Sequence, residues 1–333
     1  MTSASSLAER APDPDAPVDP SLSLGSTGGR RGDSIFKALA MLSGVMVLVI
    51  LAGIAVATTH QAWPAFSQEG LSFITSSDWN PSENKFGALA FIWGTLLSSA
   101  IAIVIGVPIS VGIALYTNEM AHKRVKRPVT YVMDLLAAIP SVVYGLWGVL
   151  VLAPNILPVY QKLDSWFGDV PGLSWLFGGQ ASGRSFMTAG LILAIMIIPI
   201  VTSLSREVIA TVPRSQREAA YGMGATRWEM IRSAVLPWSR GGITGAVMLG
   251  LGRAMGETIA VALVIGSSAQ ITTHLFSPGD SMAGVVANQW GESSGVYSAA
   301  LIGLGVVLFV VTILVNVIAR RVVRHYDNRL KVA

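Results

Sequence analysis

Long apolar runs alternate with short polar connections along this chain. The runs cover about Ala38 to Thr58, Ala88 to Tyr116, Val132 to Ala153, Phe186 to Ser203, Ile243 to Ser267 and Ser298 to Ala319. Each comes close to or exceeds the ~20 residues that a helix needs to cross a hydrocarbon layer of about 30 Å. The pattern therefore predicts an all-α membrane protein with six transmembrane helices. The segment "FGDVPGLSWLFGGQASG", Phe167 to Gly183, is too broken by Gly and Pro to span; its Trp and Phe suit the membrane interface.

Residues 1–34 are rich in Ser, Pro, Asp and Gly and carry too little apolar surface to fold, which predicts a disordered cytoplasmic tail. Residues 35–333 are then one transmembrane domain. The first run ends in "AVATTH", where Ala-Val-Ala resembles a signal-peptidase site. Against cleavage stand a long mixed-charge leader and an apolar run of spanning length, so an uncleaved helix is expected.

Composition sharpens the picture. The 333 residues are 52% hydrophobic and 13% charged, with a mean hydropathy of +0.59, outside the range of soluble domains. Cysteine is absent, which removes disulfides, thiolate metal sites and thiol nucleophiles together. His60, His122, His274 and His325 are scattered without ligand spacing, so no metal site is expected. The net charge of +4 comes from clusters beside apolar runs and points to membrane orientation, with no nucleic-acid partner. Basic clusters follow the second run (Lys123, Arg124, Lys126, Arg127), the fourth (Arg206 to Arg240) and the sixth (Arg320 to Lys331), while the opposite loops are mainly acidic. By the positive-inside rule both termini are cytoplasmic.

Pro108, Pro140 and Pro199 interrupt three runs, and each removes a helix donor and invites a bend. Either a helix is fitted to its neighbours, or the bend lies near a gate. Ser141 and Tyr144 share a face just after Pro140. They are candidates to hydrogen-bond a passing anion, and interhelical bonding is the alternative.

Arg253 and Glu257 stand inside the fifth run, "LGLGRAMGETIAVALVIG". An ionisable residue there costs roughly 2.5–3.5 kcal/mol on insertion scales and is seldom retained without use. Spaced four apart, the two share one face of a continuous helix, and Gly250, Gly252 and Gly256 suit close approach by a neighbour. The pair is either a self-neutralising structural bridge or an anion contact whose charge Glu257 offsets.

The long inner loop, about residues 211–238, reads "TVPRSQREAAYGMGATRWEMIRSAVLPW". Pro213 suits a first helical position, "GMG" allows a sharp reversal, and Thr226-Arg-Trp-Glu229 spells a capping box. A helix, a tight turn and a second helix that Pro237 ends are expected at the membrane surface. Ser215-x-x-Glu218 offers Glu218 an alternative capping role.

"EAAYGMGATRWEMIRSAVLP" resembles the EAA loop of ABC importer permeases. "AAIPSVVYGLWGVLVLAP" and "GRAMGETIAVALVIG" are similar to the phosphate importers of that family, and the likeness runs from Phe86 to the C-terminus. The resemblance implies the type I importer permease fold and a transmembrane subunit of an ATP-driven phosphate importer. It implies coupling to an ATPase through Glu218, Ala219, Ala220, Gly222 and Gly224, and a substrate pathway at Arg253, Glu257, Ser141 and Tyr144. Its implied partners are a second permease, an ATPase dimer, an extracytoplasmic phosphate-binding protein, inorganic phosphate and membrane lipid. No phosphate-binding loop G-x-x-x-x-G-K-[ST] is present, so this chain is expected to bind no cofactor and to catalyse nothing, with ATP and Mg on the partner ATPase. A permease for sulfate or molybdate, and a secondary anion transporter or channel, are the alternatives.

Overall fold

The computed structural model describes residues 29 to 330, and the side chains of residues 32 to 321. The chain divides into two units at Ala55. Helix α1, Gly29–Glu69, begins in the first and ends in the second. The expected disordered tail falls, over residues 1–28, outside the described residues. The side chains of residues 32–54 are exposed and mostly apolar, a surface that suits hydrocarbon. Gly70, at φ +57°, stops α1 by returning its N–H to the Phe66 carbonyl at 2.8 Å.

In the second unit, a short turn, α2 (Ser72–Thr75), leads to a hairpin of β1 (Trp79–Asn80) and β2 (Lys85–Phe86), paired antiparallel. Helix α3, Leu89–Leu115, ends in a π-helical turn at Tyr116–Met120. Helix α4 covers Lys123–Ala138, and a second long helix starts after Pro140 as α5 (Ser141–Trp147), passes a π turn at Gly148–Leu152 and continues as α6 (Ala153–Phe167). The short α7 (Ser174–Phe177) precedes α8, Phe186–Ala210. Then come α9 (Arg214–Gly222), α10 (Arg227–Met230), a third π turn (Ile231–Val235) and α11 (Leu236–Gly256). The chain closes with α12 (Ile259–Val264), α13 (Met282–Gln289) and α14 (Val296–Leu330).

Two runs differ from the sequence expectation. The third does not span from Val132: Pro140 lacks an N–H and forces Ile139 into extended backbone (ψ 128°), so α4 stops and the apolar helix is Ser141–Phe167. The fifth is not one helix: it breaks at Glu257 and Thr258, between α11 and α12. Pro108 and Pro199 stay inside unbroken helices. Among the described residues five helices are individually long and apolar enough to cross a membrane, and the broken α11–α12 is not one of them.

The most extensive helix packing is α3 on α8. A Cβ on Gly190 would lie 2.4 Å from Ile101 Cγ2, so only glycine allows this approach. Beside the two prolines the Ser110 hydroxyl donates to the Gly106 carbonyl at 2.6 Å and reaches the Ile198 carbonyl at 3.3 Å. Three apolar clusters lie along the helices. One, centred on Phe186, Ile192 and Ile197, joins α3, α5, α8, α11 and α12; a second gathers Phe73, Phe86, Phe91 and Leu301; a third holds Ile209, Ala220, Met230 and Val235.

Gly94 offers a measurable check on this packing, because a Cβ there would sit 1.9 Å from the Asp280 carbonyl oxygen, whereas one on Gly112 meets nothing within 4 Å. Gly94→Ala is expected to lower stability in detergent by about 1–3 kcal/mol through overpacking, with Gly112→Ala near neutral. Thermal unfolding of the two variants side by side reads the difference.

Candidate functional site

Helix α11 has two unlike faces. Ser239, Ala246, Gly250 and Ala254 are buried, and Gly250 lies against Val201 of α8 closely enough that a Cβ would approach its Cγ2 to 2.7 Å. The other face carries Gly241, Gly245, Gly252 and Gly256, where a Cβ would meet nothing within 4 Å. Of the glycines expected to seat a neighbour, Gly250 does so within this chain; Gly252 and Gly256 face open space.

That open face forms one wall of a cavity of about 1160 Å³. Gly241, Thr244, Gly245, Met248, Leu249, Gly252 and Arg253 line it from α11, Ile200 from α8, and Ile313, Asn316, Val317 and Arg320 from α14. At 1.5 Å per residue, Gly241 to Arg253 covers about 18 Å. The charged lining residues are both cations, Arg253 and Arg320. The polar ones between them turn donors inward: the Thr244 hydroxyl donates to the Arg240 carbonyl at 2.8 Å and the Asn316 amide to the Thr312 carbonyl at 3.0 Å.

Arg253 is exposed on the last turn of α11. It does not pair with Glu257: among the described residues the ion pairs within 4 Å are Lys85–Glu83 and Arg217–Glu119. The four-residue spacing aligns two side chains only on an unbroken helix, and Glu257 lies beyond the end of α11 in extended backbone (φ −69°, ψ 128°). Its Oε1 instead accepts from the Ala260 N–H at 3.4 Å, at the start of α12, while the Thr258 hydroxyl donates to the Gly256 carbonyl at 3.3 Å. A carboxylate at a helix start is electrostatically favoured.

Tyr144 is buried, and its hydroxyl donates to the Leu136 carbonyl at 2.9 Å, beside the longer 3.4 Å bond from the Ile139 N–H where α4 stops. Ser141 opens α5 and is half-buried. Gly145, one turn on, touches α12, where its Cβ would stand 2.8 Å from Ala260 Cα. Helix α5 and the start of α12 therefore meet at Gly145 and Ala260.

The turn chemistry of the inner loop is as expected, but Pro237 does not end its second helix: α10 passes through the π turn straight into α11, with Pro237 in the first turn of α11, where its missing N–H costs little. Gly224 adopts φ +83°, its N–H bonds the Tyr221 carbonyl at 2.9 Å, and Ala225 N–H bonds the Ala220 carbonyl at 3.1 Å, a Schellman reversal at the end of α9. Thr226 and Glu229 form the reciprocal capping box of α10, and the bonds from Thr226 hold the Glu229 carboxyl below its ordinary range. Pro213 is the N-cap of α9, so Ser215 and Glu218 form no such box. Ala220 is buried in the third apolar cluster, whereas Glu218, Ala219, Gly222 and Gly224 are exposed. Sequence reasoning missed the apex itself. Met223 is 84% exposed between the two glycines, with Trp228 and Tyr221 exposed nearby. A large apolar residue framed by turn glycines was the available signal.

One buried acid lies elsewhere, in the loop between α12 and α13. Asp280 is 5% exposed, and burial pushes its carboxyl from its ordinary value near 3.8 up to about 7, against the opposing Ser281 N–H at 2.8 Å. Between those values the folded chain keeps a proton that the unfolded chain has released. Stability therefore falls as pH rises through that window, and the full penalty stands above about 7. Asp280→Asn keeps the acceptor and removes the charge. Melting curves in detergent are expected to show a gain over wild type that is absent near pH 4 and grows to at most about 4 kcal/mol near pH 8.

Residues 106–332 match the family described as "Binding-protein-dependent transport system inner membrane component". The chain is 46% identical over 89% of its length to the phosphate transport system permease protein PstC of Mesorhizobium japonicum, covering 91% of that protein. It is 41% identical over 89% to PstC of Pasteurella multocida and 40% identical over 88% to PstC 2 of Mycobacterium tuberculosis, covering 92% of each. Among solved structures, a chain of a bacterial ABC transporter that imports the acidic polysaccharide alginate aligns with a TM-score of 0.58 at 19% identity, over 89% of this chain and 96% of that one.

Proposed function

The chain belongs to the binding-protein-dependent transport system inner membrane components, among the phosphate transport permeases, and from that membership we propose that it forms half of the membrane passage of an ATP-driven phosphate importer. It is a multi-pass protein of the cell membrane. The broken α11–α12 supplies the sixth span beside the five long apolar helices, and both termini face the cytoplasm. A second permease completes the passage, an extracytoplasmic phosphate-binding protein delivers the substrate, and an ATPase dimer supplies the energy. The permease itself is non-catalytic, and ATP and Mg²⁺ bind on the ATPase subunits. Level and extent of identity to phosphate permeases carry the choice of phosphate over sulfate or molybdate.

The observation that carries the pathway is Arg253 at the end of α11, facing the cavity with no ion pair among the described residues. Phosphate near neutral pH holds one to two negative charges, and a guanidinium donates parallel hydrogen bonds to two of its oxygens. Glu257 acts on this contact from behind: by holding the start of α12 it fixes where α11 ends, and with it Arg253. Tyr144 braces the α4–α5 break through the Leu136 carbonyl, and Ser141 at the start of α5 is a candidate donor to the passing anion. On the cytoplasmic side Glu218, Ala219, Gly222 and Gly224 face the ATPase, Met223 enters its groove, and Ala220 seats α9 on the membrane helices.

ATP binding draws the ATPase subunits together and moves α9, and the spans rearrange so that the passage opens outward. Phosphate enters, meets Arg253 transiently, and hydrolysis restores the inward-facing state. Binding must be weak enough to release the ion, which exposed arginines at the two ends of a stretch with few further donors provide.

In the reconstituted complex, Arg253→Gln is expected to cut ATP-driven phosphate uptake by more than about 100-fold, the loss of a charge-assisted bidentate contact, while assembly is unchanged. Glu257→Gln retains an acceptor for the Ala260 N–H and is expected to lose far less. Wild-type uptake by Arg253→Gln would remove the arginine from the pathway. Stimulation of the ATPase by sulfate-loaded rather than phosphate-loaded binding protein would replace the substrate.

A further inference from the structure

The cytoplasmic end of α3 gathers four elements through consecutive side chains. In its terminal π turn, the Thr117 hydroxyl bonds back to the Ile113 carbonyl at 2.8 Å. The Asn118 amide donates to the Arg206 carbonyl of α8 at 2.6 Å and accepts from Lys126 Nζ of α4 at 3.2 Å, and Arg206 in turn donates to Thr130 of α4. Glu119 reaches α9: its Oε1 accepts from Arg217 Nη2 at 2.8 Å, and the same nitrogen donates to the Ile209 carbonyl of α8 at 3.1 Å.

This ion pair differs from the exposed Lys85–Glu83 pair. The side chains of Arg217 and Glu119 are only 22% and 7% exposed, so separating them strands a carboxylate out of water. Arg217 Nε is buried without a hydrogen-bond partner. The Nε–Nη2 edge, which can grip a carboxylate through two parallel bonds, is half used. The contact therefore holds α9 to α3 and α8.

On the reading that the ATPase docks at α9, we infer that Arg217 and Glu119 form a clasp that carries ATPase movement from the coupling helix directly into α3 and α8. The covalent route runs from α9 through α10 into α11. The clasp adds a second route into the α3–α8 pair. Arg217 is a positioning residue and touches no substrate.

The test uses the full complex in proteoliposomes and reads phosphate imported per ATP hydrolysed. Arg217→Ala and Glu119→Gln are each expected to lower that ratio by about tenfold at unchanged complex yield and basal ATPase rate, and the swap Arg217→Glu with Glu119→Arg to recover most of it. If Arg217→Ala does not assemble, the near-isosteric Glu119→Gln carries the test. An unchanged ratio, or transport that falls only in proportion to assembled complex, overturns the clasp. A second readout needs no phosphate. The chain has no cysteine, so spin labels placed by Met120→Cys and Ser215→Cys report the α3–α9 distance. The clasp requires that distance to stay constant on ATP binding in the otherwise native chain and to change by about 2 Å or more in Arg217→Ala. A distance that changes without the Arg217 substitution overturns the clasp, whereas a wild-type complex that imports no phosphate overturns the substrate reading alone.

Discussion

In hydrocarbon every break in a helix exposes backbone groups that no water can satisfy, and the arrangement of this protein follows from how two such breaks are settled. At Pro140 the open end of α4 is met by the Tyr144 hydroxyl from the next helix. At Glu257 and Thr258 the side chains themselves supply the partners. The helices that follow the two breaks, α5 and α12, then pack on each other, since Gly145 and Ala260 are in contact and only a missing side chain lets them meet. Arg253 ends α11 beside this junction. Its position is thus determined by backbone accounting as much as by its own side chain.

The far end of the molecule obeys a different economy. Around α9 the backbone groups are settled by local motifs, a Schellman turn and a capping box, which hold without help from the rest of the fold. This leaves the tertiary contacts of the loop free to serve attachment. Ala220 and Met230 anchor it among apolar neighbours, and the Arg217–Glu119 contact fixes it to the end of α3. A rigid element on a strong mount transmits displacement; a floppy one would absorb it.

What could be read from residues alone follows the range of the interactions involved. The apolar runs, the basic clusters and the inner loop were legible because span length, charge bias and turn chemistry are properties of contiguous residues. Hydropathy could not show that the third and fifth runs are interrupted: α12 remains apolar on the far side of its two-residue break. The spacing of Arg253 and Glu257 suggested a pair on the assumption of an unbroken helix, and the break removes it. Nor could the glycines of α11 be assigned to a packed or an open side without a neighbour in view. Arg217 and Glu119 lie 98 positions apart, and no local signal joins them.

The glycine wall of the cavity has a consequence for speed. Between Arg253 and Arg320, α11 offers bare backbone at Gly241, Gly245 and Gly252, and the hydroxyl and amide nearby are already donating to their own helices. On the proposed pathway, an anion travelling this stretch finds little to hold it. On that pathway the charged groups stand at Arg253 and Arg320, and the stretch between them offers few free donors. The same scarcity leaves the wall poor at discriminating one small oxyanion from another, so that choice is best made before the ion arrives.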